Sequence, residues 1–237
     1  MAPSPGSPAL VLIPTAVEQR RIEDHGGFDA GLGIVALCGF GPIAAAARTA
    51  ELLSLLRPSR VVLVGIAGTY EPELLPIGRA LAFDAVAVEG IGAGEGRDLV
   101  GPAALGFPQW PGGGGAEAIH DRIVLAAGRA TGPDGLPDPA SLRDPARTAL
   151  LLSTCAASAS AQQAALRRER FPEALAEDME GFAVALACAL AGVPCQIVRG
   201  ISNVVGDRDP AHWRIPAALA AARLCALDVL RRPDAAT

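Results

Sequence analysis

The chain has 237 residues, 51% of them hydrophobic and 19% charged, with a formal net charge of −5. That length suits one domain with a sizeable core, and the acidic balance argues against a surface that reads nucleic acid by charge. All 20 basic residues are arginines, so Schiff-base, P-loop and pyridoxal phosphate chemistry, each of which needs a lysine, are excluded.

The first eight residues, Met-Ala-Pro-Ser-Pro-Gly-Ser-Pro, lack the charged and apolar regions of a signal peptide and read as a flexible tail over 1–8. Apolar runs over 9–13, closed by Pro14, and over 33–38 predict two strands. A helix is predicted over 42–56, with Pro42 suited to its first turn and Pro58 beyond its end. The β-branched run 61–64 and the loosely alternating 80–88 read as strands. A helix is predicted over 116–130, after four glycines, and a Pro-, Asp- and Gly-rich surface loop over 131–145. A strand over 149–153 and a surface helix over 160–170 follow. A buried helix over 180–190 stops at Gly192 and Pro194, and then come a strand over 196–199 and a closing helix over 216–230. Residues 231–237 form a second tail. Strands this apolar are covered on both faces. The alternation therefore predicts one domain over 1–237, an α/β/α three-layer sandwich around a central mixed, largely parallel sheet. The uncharged run 182–198 is interrupted by Gly192, Pro194 and Gln196, so no membrane span is expected.

The five cysteines form no C-x-x-C and sit among apolar residues. They read as reduced small hydrophobes, which points to a reducing, cytoplasmic compartment. The three histidines are isolated, so no protein-built metal site is expected.

Ligands of such folds gather at the carboxyl ends of the strands, which directs attention to 14–18, 39–42, 65–70, 154–158 and 200–209. Gly39-Phe-Gly41-Pro-Ile-Ala44 matches the G-x-G-x-x-A of dinucleotide folds, but no acid ends the following strand, and a tight strand-to-helix turn needs the same glycines. In Gly65-Ile66-Ala67-Gly68 the small residues permit close approach, to a ligand or within a turn. The carboxylates of Glu177-Asp178-Met179-Glu180-Gly181 either complement the dipole of the helix they enter or offer a pair of acceptors to the hydroxyls of a ribose, with Met179 as an apolar wall. Ser202-Asn203 ends an apolar strand, as a polar turn or as an amide aimed at a heterocycle.

These four motifs, in this order, resemble the nucleoside phosphorylase and nucleosidase superfamily, which includes methylthioadenosine/S-adenosylhomocysteine nucleosidase. Ile91-Gly-Ala-Gly94, Leu105-Gly-Phe-Pro-Gln-Trp110 and Asp207-Arg-Asp-Pro-Ala-His-Trp213 are similar to its futalosine hydrolase branch. The resemblance covers about residues 9–230. It implies a nucleoside phosphorylase-like fold, hydrolysis of an N-glycosidic bond without cofactor or metal, a small-molecule nucleoside as the partner, and a homo-oligomer. Carried over residue by residue, it matches Met179 and Glu180 to the ribose-binding pair and Glu18 to the glutamate that activates water. Asn203 stands where adenine-specific relatives have an aspartate that protonates the purine, and Ser202 matches the serine that orients it. Ala67 and Gly68 match backbone lining the ribose and water, Ala157 and Ser158 the segment that meets the base, and Trp213 an aromatic against the ligand. A neutral amide at 203 suits a 6-oxopurine such as hypoxanthine, the base of futalosine.

Three alternatives stay open: a purine nucleoside phosphorylase using arginines such as Arg20, Arg21 and Arg48, a methylthioadenosine-type nucleosidase, and a non-catalytic nucleoside- or dinucleotide-binding domain. The 5′ aryl ketone of futalosine carries a carboxylate. Arg97, Phe107 and Trp110 are candidates to meet it, or else solvated loop residues.

Overall fold

The computed structural model describes residues 7–113, 115, 117–126 and 148–232. In chain order the elements are β1 (Leu10–Ile13), α1 (Ala16–Asp24), β2 (Ile34–Leu37), α2 (Gly41–Leu56), β3 (Val61–Thr69), β4 (Ala80–Ala82), β5 (Ala85–Glu89), α3 (Pro102–Leu105), β6 (Arg122–Val124), β7 (Leu150–Thr154), α4 (Ala161–Arg170), β8 (Ala174–Asp178), α5 (Gly181–Ala191), β9 (Cys195–Val204) and α6 (Ile215–Arg231). The strands form one sheet in the order β2-β1-β3-β8-β7-β5-β6, and β9 pairs with β3 and β4 off this path. The pairs β1–β2, β1–β3, β3–β9, β5–β7 and β7–β8 are parallel, whereas β3–β8, β4–β9 and β5–β6 are antiparallel. The sheet is thus mixed and largely parallel, as the alternation of elements predicts.

Successive strand residues point to opposite faces, and the core divides accordingly. Leu10, Leu12, Val61, Leu63 and Ile197 join α2 and α5 residues such as Leu53 and Val184 in one cluster. Val11, Ile13, Val62, Val64 and Val198 join Leu219, Ala222 and Val229 of α6 and Ile22 of α1 in a second. Helices therefore cover both faces of a sheet whose central strands are largely apolar, the three-layer arrangement expected. Among the described residues no helix is long and apolar enough to cross a membrane.

The register of β3 against β9 slips at one point. Ala67 pairs with Ile201 and Gly68 with Asn203, so Ser202 is an extra residue on β9. Such a bulge re-aims the side chains beside it, and it sits where the sequence motif Ser202-Asn203 lies.

Three expectations need correction. The run 80–88 is two strands, β4 and β5, that pair with different neighbours. The helix predicted over 116–130 contains β6 instead, whose residues Arg122–Val124 pair antiparallel with β5. The rest of that range from 127 on, and the loop over 131–145, lie outside the described residues, as do 1–6 and 233–237 of the two tails. The acidic run is not a helix start. Glu177 and Asp178 end β8, and only Glu180 stands at the head of α5, where its side chain makes no capping bond. Helix α1 had no counterpart among the predicted elements; Thr15 caps it by accepting a hydrogen bond from the Glu18 N–H.

Candidate active site

The carboxyl-terminal ends of β1, β3, β8 and β9 open onto a cavity of about 340 Å³. Nine of the ten residues singled out from sequence line it: Glu18, Ala67, Gly68, Ala157, Met179, Glu180, Ser202, Asn203 and Trp213. Ser158 does not. Its N–H and its hydroxyl both donate to the Glu177 carboxylate, at 2.6 and 2.8 Å, so the residue is turned into the protein.

Beneath the cavity lies Arg199, a fully buried charge in the middle of β9. A buried guanidinium must be paired. Its Nε and Nη2 donate to Asp178 Oδ2 at 3.0 and 2.5 Å, and Nη2 reaches Glu180 Oε2 at 3.3 Å. Asp178 is itself fixed by the Ser153 hydroxyl at 2.5 Å and by the Gly181 N–H at 2.8 Å. The remaining donor, Nη1, has no protein hydrogen-bond partner. Nη1 lies over Gly65 of β3: a Cβ there would sit 2.1 Å from Nη1 and 2.9 Å from Glu18 Oε1, so only glycine fits and the two side chains converge on that point. Sequence reasoning gave Arg199 no role. The signal that could have found it is an arginine inside an otherwise uncharged strand, with a glycine at the aligned position of the neighbouring strand.

The two carboxylates among the three catalytic candidates are held by hydrogen bonds from their own turn and from distant segments. Glu18 is buried at the start of α1. Its Oε2 accepts from the Thr15 hydroxyl at 2.7 Å and its Oε1 from the Ile66 N–H at 3.2 Å. Glu180 Oε1 accepts from the Gly41 N–H at 2.9 Å. Gly41 has φ of 78°, a conformation that favours glycine. The Gly39-Phe-Gly41 turn thus points an amide at a carboxylate of its own chain, which accounts for the G-x-G-x-x-A pattern without a dinucleotide. Burial pushes the Glu180 carboxyl up to about 7; Arg199 opposes this, and the Asp178 and Glu18 charges add to it. Burial also pushes the neighbouring Cys38 thiol up to about 12, so it stays protonated and inert.

At the other side, Ser202 and Asn203 follow the bulge. Asn203 Oδ1 accepts from the Ser202 hydroxyl at 2.8 Å. Its amide nitrogen donates to the Val204 carbonyl at 2.8 Å and, on a long contact of 3.4 Å, to the Asp207 carbonyl. The donors thus face backbone rather than open space, which corrects the simple picture of an NH₂ aimed into the cavity. Trp213 shares the Asp207 carbonyl, donating from Nε1 at 3.1 Å. Glu177, also on the cavity wall, is saturated by Ser158, by Arg167 at 3.0 Å and by the Tyr70 hydroxyl at 2.6 Å. Burial, reinforced by the Glu177 charge, pushes the Tyr70 phenol far above its ordinary range and keeps it a donor.

The loop candidates go elsewhere. Arg97 forms a two-pronged bond with Glu169 at 2.9 and 2.7 Å, and neither it nor Phe107 or Trp110 lines the cavity. Arg20, Arg21 and Arg48 are absent from the lining as well, and Arg48 pairs with Glu51. Among the described residues the one cation on the cavity wall is Arg208, against the carboxylates of Glu18, Glu177, Asp178 and Glu180.

Comparison with known proteins is consistent across sequence and structure. A family model described as the phosphorylase superfamily matches residues 26–232. A futalosine hydrolase from Streptomyces coelicolor is 40% identical over 188 residues, 77% of this chain and 72% of that protein. A futalosine hydrolase from Thermus thermophilus is 31% identical over 219 residues, 90% of each chain. Among solved structures, a 5′-methylthioadenosine/S-adenosylhomocysteine nucleosidase from Colwellia psychrerythraea, in complex with adenine, superposes with a TM-score of 0.70 at 20% identity, covering 97% of this chain and 96% of that one.

Arg199 balances the carboxylates around it, so removing it alone strands buried negative charge. Arg199→Met should cost about 3–5 kcal/mol of stability, measured by urea unfolding. A loss below about 1 kcal/mol would mean that the carboxylates do not depend on it.

Proposed function

The chain belongs to the phosphorylase superfamily, and we propose that it hydrolyses the N-glycosidic bond of futalosine, releasing hypoxanthine and dehypoxanthine futalosine in the alternative menaquinone pathway. The observation that carries this reading is the gathering of Glu18, Glu180, Ser202 and Asn203 on one cavity, with the buried Arg199 paired to Glu180 behind it. The enzyme is an N-glycosyl hydrolase. A phosphorylase would need cations for phosphate, and a cavity with four carboxylates and one arginine favours water instead.

In the proposed mechanism the C1′–N9 bond stretches first and its electron pair passes to the purine, leaving a sugar with oxocarbenium character. Ionised Glu180, bonded to the ribose hydroxyls, stabilises that cation, and Met179 packs beside it. Glu18 takes a proton from the water that attacks C1′. Ala67 and Gly68 line the sugar, Ala157 borders the base, and Trp213 is an aromatic against the ligand. Asn203 exchanges its long contact to the Asp207 carbonyl for a hydrogen bond to the purine, with Ser202 holding Oδ1. The departing base receives its proton from solvent.

A homo-oligomer belongs to the same proposal. The groove between α2 and α5 has a volume of about 670 Å³ and is lined by Leu53, Leu186, Leu190 and alanines, and Ile43 and Leu55 of α2 are exposed nearby. Light scattering on the eluting protein should give at least twice the chain mass, and a monomer would sink this part. The five cysteines are all unpaired, which suits a reducing cytoplasm.

Product analysis is the direct test. Purified protein should release hypoxanthine from futalosine without phosphate; dependence on phosphate would mean a phosphorylase, and no release would mean a binding module. The same assay reads Glu180. Its carboxyl must be ionised to act, and its raised pKa places the change near 7. Activity should therefore fall about tenfold per pH unit below 7, whereas a limb near 4–5 would mean an ordinary carboxylate carries the step.

Base choice provides a second test. An amide that donates to O6 faces two donors when the base is adenine, and one unmatched buried contact costs about 1–3 kcal/mol, or roughly 5- to 150-fold. The enzyme should prefer a hypoxanthine nucleoside over its adenine analogue with the same 5′ group, and Asn203→Asp should narrow or reverse that ratio of kcat/KM. An identical ratio in both proteins would show that Asn203 does not read position 6.

A further inference from the structure

The mechanism leaves one charged wall residue unused. Among the described residues Arg208 is the only cation lining the cavity. Its guanidinium lies 4.9 Å from the centre of the Trp213 ring, a cation–π distance. Among the described residues it has no ion pair, although aspartates precede and follow it. Both are engaged with His212: Asp207 Oδ2 lies 2.7 Å from Nδ1 and Asp209 Oδ2 lies 3.9 Å from Nε2. Their other oxygens accept backbone N–H bonds, from Asp209 at 3.0 Å and Ala211 at 2.9 Å. The segment thus turns its own acids away and leaves one cation free. The tryptophan beneath it is itself fixed by the Asp207 carbonyl.

The cavity that Arg208 lines also carries exposed apolar side chains: Phe40, 67% exposed, and Val17, 57% exposed, together with Ile215. A cavity that joins large hydrophobics to a guanidinium is complementary to a ligand group that is flat, apolar and anionic at its edge. The other charged residues of the wall are acids, so among the described residues such a group finds a counter-charge only at Arg208.

We propose that Arg208, stacked on Trp213, is a specificity residue that takes the carboxylate of an aromatic 5′ substituent, so that the cavity selects nucleosides with an acidic aryl tail. This rests on the nucleosidase reading above. The guanidinium lies over the indole ring and makes no ion pair among the described residues, so its N–H fork can meet a carboxylate with two bonds. Asp207-Arg-Asp-Pro-Ala-His-Trp213 then has a physical role: Asp207 and His212 shape the turn, Trp213 supplies the platform, and Arg208 reads the charge.

The test compares kcat/KM for futalosine and for inosine, which has the same base and no acidic tail, in the wild type, Arg208→Gln and Arg208→Lys. The side chain is exposed and both variants should fold, which circular dichroism checks. The futalosine-to-inosine ratio should fall at least about tenfold in Arg208→Gln, mainly through KM for futalosine, and less in Arg208→Lys. Added salt should lower the wild-type ratio and leave that of Arg208→Gln nearly flat. A wild type that cleaves both substrates, with a ratio unchanged in Arg208→Gln, overturns the role of Arg208 and leaves the nucleosidase reading intact. A wild type that releases hypoxanthine from neither substrate overturns the nucleosidase reading, and this proposal with it.

Discussion

A fully buried guanidinium organises the functional edge of this protein. Taking such an ion out of water costs several kcal/mol unless charge and hydrogen bonds replace the solvent. Around Arg199 the replacement comes from Asp178 at the end of β8 and Glu180 at the head of α5. Gly65 on the neighbouring strand makes room for the arginine, and the Gly41 amide holds the outer oxygen of Glu180. Asp178, Glu180 and Gly41 stand at the ends of regular elements while Arg199 and Gly65 lie within strands, so satisfying one charge fixes how β3, β8, β9, α2 and α5 meet.

That arrangement is deliberately unbalanced. One positive charge faces Asp178, Glu180 and, at slightly greater remove, Glu18, so electrostatics and burial together disfavour full ionisation of the cluster. Glu180 bears the consequence because Asp178 receives the closer guanidinium bonds along with a hydroxyl and a backbone N–H. A carboxylate that is costly to ionise in the empty site gains the most when positive charge develops beside it. The same imbalance links stability to chemistry: the interactions that hold the sheet together also tune the group proposed to stabilise the transition state.

Away from the buried cluster the cavity is built differently. The wall at Ala157 is held from behind, where Glu177 ties together Ser158, Tyr70 and Arg167. The wall at Trp213 is a short turn: the Asp207 carbonyl takes bonds from both the Trp213 indole and the Asn203 amide, and the Arg214 N–H ties the end of the turn to the Ser202 carbonyl of β9.

Much of this was legible in the residues. Apolar, β-branched runs between capped amphipathic segments predict a covered, largely parallel sheet, because backbone geometry and burial act within a few residues. Glycine and proline marked the ends of α2 and α5 closely for the same local reason. The motif residues reach one cavity because they lie at the carboxyl ends of strands, which topology brings to one edge. Where local signals were weak the sequence misled. The range 116–130 holds β6, whose three residues gain strand geometry only by pairing with β5. The acids at 177 and 178 resembled a helix start because neither local charge nor spacing reveals that β8 runs between β3 and β7. The partners of Arg199, the inward turn of Ser158, the backbone bonds of the Asn203 amide and the isolation of Arg208 on Trp213 could be decided only by tertiary structure. Each depends on contacts that form when distant segments pack, and charge pairing across a fold leaves no periodic trace in the chain.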